Sequence, residues 1–163
     1  MSGVAVRSAR PEDHPAISTL LNAAFGGAEE SVLVENLRGA GDVVLELVAV
    51  AGDAIVGQIL FSRLTVGDDF DAVALAPLAV LPANQRHGVG TALVKAAHDQ
   101  LQASGESLSI VLGDTAYYGR FGYTHARAAG YDSTYQGEHL QALAFREAPI
   151  AGALTYAPAF GAL

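Results

Sequence analysis

Leu78-Ala79-Val80-Leu81-Pro82-Ala83-Asn84-Gln85-Arg86-His87-Gly88-Val89-Gly90-Thr91-Ala92-Leu93-Val94 is the stretch that decides how this chain is read. An apolar strand-like run ends at Leu81, the chain turns through polar residues, and Gly88 and Gly90 open a segment of helical periodicity. Glycine lets backbone N–H groups approach a ligand closely. The first turn of a helix adds unpaired donors and a partial positive charge. The turn is therefore expected to seat a phosphate or pyrophosphate, with Arg86 adding a charge-assisted contact and Thr91 a hydroxyl. A plain helix N-terminus is the competing reading. The dinucleotide fingerprint and the P-loop both fail, because no third glycine follows at the right step and no Gly-Lys-Ser/Thr occurs.

Outward from this turn the pattern alternates strands and helices. Val4 to Arg7 reads as a short strand, and Pro11-Glu12-Asp13 as the opening of a helix carrying Ile17, Leu20, Leu21, Ala24 and Phe25. Gly26-Gly27 ends it, and Ala28 to Arg38 reads as a second helix with Val32, Leu33 and Leu37 on its apolar side. Val43 to Ala51 and Ala54 to Val66 form a hairpin pattern around Gly52-Asp53. Ala72 to Leu81 is apolar enough for a strand buried on both faces, yet Pro77 cannot donate to a ladder, so a bulge or a parting of strands is expected there. Gly88 to Ala103 is helical with Gly105 as its stop, Ser107 to Leu112 is a strand, Thr115 to Arg120 a short helix or turn, and Leu140 to Arg146 a late strand. The tail from Ala148 to Leu163 has no charged side chain and is expected to pack on the core, or else to wall a substrate pocket or meet a second copy.

Composition bounds what such a fold can do. The 163 residues, 51% of them hydrophobic, suit one domain with a complete core and exclude disorder. With 17 Asp and Glu against 9 Lys and Arg the net charge is −8, which argues against nucleic acid as a partner and tilts toward cationic small molecules. An anion at the Gly88–Gly90 turn still feels the local donors, since distant carboxylates are screened beyond about 10 Å. The absence of Cys excludes thiol nucleophiles, disulfides and cysteine zinc sites. No metal is expected: His14, His98 and His139 lack ligand spacing, and Asp68-Asp69-Phe70-Asp71 reads as a solvated turn. Neither a secretory signal nor a membrane-spanning run is read, so a soluble cytoplasmic protein without membrane partners is the expectation.

Gln85-Arg86-His87-Gly88-Val89-Gly90 resembles the Gln/Arg-x-x-Gly-x-Gly/Ala pyrophosphate loop of the GNAT superfamily of acyl-CoA-dependent N-acyltransferases. Downstream, Leu112-Gly113-Asp114-Thr115-Ala116-Tyr117-Tyr118-Gly119-Arg120-Phe121-Gly122-Tyr123 is similar to that family's Tyr-x-x-x-Gly-Phe/Tyr segment, closest to a bacterial subgroup with Gly-Asp-x-x-Tyr-Tyr-x-Arg-Phe-Gly-Phe. The likeness covers most of residues 4 to 146. It implies an α/β (α+β) fold with a mixed, mostly antiparallel sheet splayed between its fourth and fifth strands and flanked by helices. It also implies a single N-acetyltransferase domain over residues 1–163, with acetyl-CoA as co-substrate. The pantetheine arm would pair with the main chain of Leu78, Ala79 and Val80, and the loop formed by Gln85, Arg86, His87, Gly88, Val89, Gly90 and Thr91 would hold the pyrophosphate.

Tyr118, four residues before Gly122, has the spacing of the tyrosine that in many family members helps the thiolate leave. Tyr117 is then the expected core member of the pair. Asp114 is expected to cap the short helix, and His125 to be structural, with no clear general base. The expected activity is transfer of an acetyl group to a primary amine of a small molecule or peptide by direct attack in a ternary complex. An α-amine of pKa about 7.8 is neutral in roughly 15% of molecules at pH 7, against less than about 0.1% for an ε-amine, so it needs less help. Two other readings stand beside it: a non-catalytic acyl-CoA sensor or interaction module on the same fold, and a nucleotide-binding enzyme. A homodimer through the late strands or tail is a further expectation.

Overall fold

The structure, a computed structural model, describes residues 3–162. Met1 and Ser2 of the segment read for a signal, and Leu163 of the apolar tail, lie outside them. Among the described residues, eight strands form one sheet: β1 (Val4–Ser8), β2 (Val43–Ala51), β3 (Ala54–Val66), β4 (Phe70–Val80), β5 (Leu108–Leu112), β6 (Tyr131–Asp132), β7 (Leu140–Ala144) and β8 (Gly152–Tyr156). The main path runs β1-β2-β3-β4-β5-β7, with β8 on β3 and β6 on β8. Pairing along the main path is antiparallel except between β4 and β5. The helices are α1 (His14–Phe25), α2 (Glu29–Gly39), α3 (Val89–Ala103), α4 (Thr115–Gly119) and α5 (His125–Ala128). No helix among the described residues is long and apolar enough to cross a membrane.

Local chemistry explains most boundaries. Pro11–Asp13 makes a 3-10 turn ahead of α1, which ends at Gly26 in the left-handed region with φ 75°. Glu29 and Glu30 in the first turn of α2 and Arg38 in its last match the helix dipole. Its buried stripe is Ser31, Leu33, Val34 and Leu37, which corrects the sequence reading: Val32 is 46% exposed, because it lies off the 30/33/34/37 rows that face the sheet. Asp68-Asp69 sits in the turn between β3 and β4.

Two apolar layers clamp the sheet. On one face α3 packs Val89, Leu93, Val94, Ala97 and Leu101 against Leu47, Ile59, Phe61, Val73 and Val111. On the other, Ile17, Leu20 and Leu21 of α1 and Leu33, Val34 and Leu37 of α2 cover Val48, Leu60 and Ala79. Gly57 sets how closely α3 approaches: a Cβ there would lie 2.9 Å from Val89 Cγ1, 3.0 Å from Leu93 Cδ1 and 3.3 Å from the Ala79 carbonyl.

The expected disturbance at Pro77 is present. Ile59 pairs with Leu78 while Phe61 pairs with Leu75, so β4 carries one residue more than β3 across Ala76-Pro77. On its other side β4 pairs with β5 only through Val73, Ala74 and Leu75. Beyond Leu75 the two strands part, and the edge of β4 from Ala76 to Val80 has no strand partner among the described residues.

Periodicity missed α5, β6 and β8. Each is too short to show a period: α5 has four residues under the Thr124 cap, β6 has two, and the five-residue β8 exists because β2 starts opposite Ser62 and leaves Leu64–Val66 a free side. The tail packs as expected, with Ala157 buried and Phe160 against the α1/α2 layer.

His98 of α3 is enclosed by Phe61, Phe121, Tyr123 and Phe145. Burial takes its pKa down from 6.5 to about 4. Between those values the unfolded chain binds the proton and the folded chain does not. The stabilisation is therefore complete above 6.5 and lost as pH falls through about 4. Asp13, held down to about 2 chiefly by its hydrogen bond with Arg7, contributes stability that is complete above 3.8 and lost only as pH falls through about 2, so it leaves the slope between 6.5 and 4 unchanged. Urea unfolding is expected to lose up to about 3 kcal/mol of stability between pH 6.5 and 4. His98→Gln, which keeps a hydrogen-bonding side chain without the titration, should flatten that slope.

Candidate active site

Where β4 and β5 separate, a cleft of about 640 Å³ opens. Leu78 and Val80 of β4 line one side, Leu112, Gly113 and Asp114 at the end of β5 the other, and Tyr117, Tyr118 and Arg120 of the α4 segment reach in. The Asn84–Arg86 turn and the start of α3 close one end.

The loop is built as its sequence implies, with one backbone feature the sequence did not announce. Gly88 lies at φ 84° and caps α3, and Arg86, a residue with a Cβ, is also left-handed at φ 67°. Gly88 has no side chain to cap with, and its carbonyl accepts the first helical bond, from Ala92 N at 3.0 Å. The N–H groups of Val89, Gly90 and Thr91 thus precede any intrahelical partner and point out of the helix end toward the cleft. Gln85 braces the turn by donating from Nε2 to the Val80 carbonyl at 3.1 Å.

Gly90 departs from the expected reason for its type. A Cβ on Gly90 would collide with the hydroxyl of Tyr117, so that glycine makes room for a tyrosine rather than only for a ligand. This also corrects the placing of Tyr117 in the core. It lines the cleft, half-buried, with the Arg120 guanidinium 4.7 Å from its ring centre. Arg120 Nη2 donates to Thr91 Oγ1 at 3.4 Å, so α4 and the first turn of α3 are joined beside two cleft cations, Arg86 and Arg120.

Tyr118 packs edge-on against Tyr117 and Tyr123, with ring centres 5.0 and 5.9 Å away. Burial pushes its phenol up to about 12, assisted by Tyr117 and Asp114. Gly113 lies flat beneath the ring: a Cβ there would come within 2.7 Å of Cε2. Asp114 caps α4 by accepting from Ala116 N at 2.9 Å, and the His125 ring is engaged with the Leu140 carbonyl at 3.0 Å, so both are occupied structurally as expected.

Of the residues singled out from sequence, Leu78, Val80, Gln85, Arg86, Gly88, Val89, Gly90, Thr91 and Tyr118 line this one cleft. The side chains of Ala79 and His87 do not: Ala79 is buried on the α1/α2 face, and His87 is exposed outside the lining. Asn84, Leu112, Gly113, Asp114, Tyr117 and Arg120 join the lining unanticipated in that role. All but Asn84 stand in the quoted Leu112–Tyr123 segment, and only the docking of α4 on α3 shows that they share the cleft.

Comparison with known proteins agrees with this geometry. The model of the acetyltransferase (GNAT) domain matches residues 5–126. The uncharacterized N-acetyltransferase YhbS of Escherichia coli K12 is 37% identical over 120 residues, 72% of each chain. The crystal structure of E. coli YhbS in complex with CoA superposes with a TM-score of 0.92 at 30% identity, covering 99% of this chain and 93% of that one. A GNAT family acetyltransferase from Brucella melitensis in complex with acetyl-CoA gives 0.84 at 31% identity, covering 98% and 99%. A sheet splayed beside a glycine-flanked helix start, matched over this span, makes the chain a member of the GNAT acetyltransferase family.

Proposed function

We propose that this protein transfers an acetyl group from acetyl-CoA to a primary amine by direct attack within a ternary complex. The observation that carries the reading is the continuity of one cleft from the open N–H groups at Val89–Thr91, along the unpartnered edge of β4, to the phenol of Tyr118. The structures of the two relatives with CoA and acetyl-CoA support the choice of ligand.

In this reading the loop from Gln85 to Thr91 holds the pyrophosphate, through its main chain and the Arg86 side chain. Main-chain groups of Leu78–Val80 take the pantetheine amides as an added strand would, and here the side-chain directions of Ala79 and His87 do not matter. The amine nitrogen bonds to the acetyl carbon, the carbon–sulfur bond breaks, and the amine's surplus proton leaves to water. Tyr118 stands at the sulfur. A phenol at about 12 stays protonated, and full transfer to a thiol near 8.5 would cost about 5 kcal/mol. Its role is thus hydrogen-bond donation to the developing thiolate. No Cys or nucleophilic serine motif offers a covalent route.

Release of free thiol across a panel of α-amines, polyamines and aminoglycosides tests the proposal. Silence across the panel together with tight CoA binding would favour the sensor reading instead. Tyr118→Phe is expected to lower kcat about 100-fold and leave the dissociation constant for acetyl-CoA nearly unchanged. Because the donor form of Tyr118 is lost only as pH rises through about 12, the rate should climb with pH to the pKa of the acceptor and show no fall attributable to Tyr118 below pH 10 or so. Gly113→Ala, whose methyl must push the Tyr118 ring aside, should reduce kcat about tenfold and KM for acetyl-CoA little.

A further inference from the structure

Three buried polar groups take no part in the chemistry above: His98 on α3, Ser109 on β5 and Tyr123 in the turn after α4. They are bonded to one another. Tyr123 Oη lies 2.8 Å from Ser109 Oγ and 2.9 Å from His98 Nε2, so its single hydroxyl joins two elements of the sheet-and-helix layer. Residues exposed by 1%, 0% and 9% have no water to replace these bonds. Hydrophobic packing alone would fill the same volume without the cost of burying three polar side chains.

The elements tied together are the ones that make the cleft. α3 carries the anion loop, β5 is the strand that diverges from β4, and the turn holding Tyr123 is the continuation of α4. Tyr118 is joined to this knot twice. Its carbonyl accepts from Tyr123 N at 3.4 Å, and its ring stands at 78° to that of Tyr123, 5.9 Å between centres. Apolar contact holds a ring near a place and leaves it free to slide; a hydrogen bond at a fixed point of the neighbouring ring removes that freedom. The Phe121 side chain, which also packs toward this layer, has no such bond to offer.

We propose that Tyr123 is a positioning residue for the reaction: through its bonds to Ser109 and His98 it fixes the ring of Tyr118 relative to both the anion loop and the splayed strand. The proposal rests on the donor role of Tyr118 for its effect on rate, and on geometry alone for its effect on the ring.

Tyr123→Phe removes one hydroxyl and keeps the ring. Its kcat is expected to fall about tenfold with KM for acetyl-CoA unchanged, and it should cost nothing further when Tyr118 is already Phe. In protein with ring-labelled tyrosine, the Tyr118 resonance, assigned by its loss in Tyr118→Phe, should shift and broaden in Tyr123→Phe. Ser109→Ala serves as a milder variant should Tyr123→Phe be too unstable to study, and should move the same resonance in the same direction. An unchanged Tyr118 resonance overturns the proposal, as does an equal loss of kcat in the Tyr118→Phe background. If Tyr118→Phe itself turns over at the wild-type rate, the donor role is lost, and the resonance alone then decides whether Tyr123 positions the ring.

Discussion

The parting of β4 from β5 after Leu75 is the constraint on which the rest of the molecule depends. Strand edges inside a sheet are normally satisfied by a neighbour, and an edge left open is costly or available. Here it is created by a proline that cannot donate and by one surplus residue on β4, while β3 continues to hold Leu78, Ala79 and Val80 in register on the opposite side. The open edge is thus rigid. A ligand with amide groups can pair with it as a missing strand would, without the chain having to reorganise.

What stands at the two ends of this edge gives it direction. One end meets the start of α3, whose distance from the sheet is set by the absence of a side chain at Gly57. The other meets the α4 segment, where Gly113 has no Cβ to keep the Tyr118 ring away. Between them Tyr117 and Arg120 cross from α4 to the first turn of α3, with the tyrosine hydroxyl seated over Gly90. Small residues at points of closest approach and aromatic rings filling the space beside them are how so short a helix as α4 is held firmly.

Much of this was legible from residues alone where a local rule governs. The hairpin at Gly52-Asp53 fell where expected, at Val43–Ala51 and Ala54–Val66, because strand propensity and a positive-φ glycine agree there. The helix start at Gly88 and the stop at Gly26 follow the same logic. Val32 was misplaced because an apolar residue next to Leu33 can fall on either side of the stripe: Val34, three residues before Leu37, takes the inward place, and Val32 lies off those rows. β6 and β8 were invisible, because Tyr131-Asp132 is too short to show a period and Gly152–Tyr156 becomes a strand only where β3 offers it a free side, with β6 then pairing on β8.

The sequence by itself determined the order of helices and strands, the disturbance at Pro77, and a donor-rich turn at Gly88–Gly90, because each depends on a few neighbouring residues and their backbone preferences. Tertiary structure alone decided that Tyr117 lies in the cleft and not in the core, that Gly90 serves a hydroxyl from a segment 27 residues away, and that His98, Ser109 and Tyr123 share buried hydrogen bonds. Those contacts join α3, β5 and the turn after α4, and no local pattern records the distance between elements that only the packed sheet brings together.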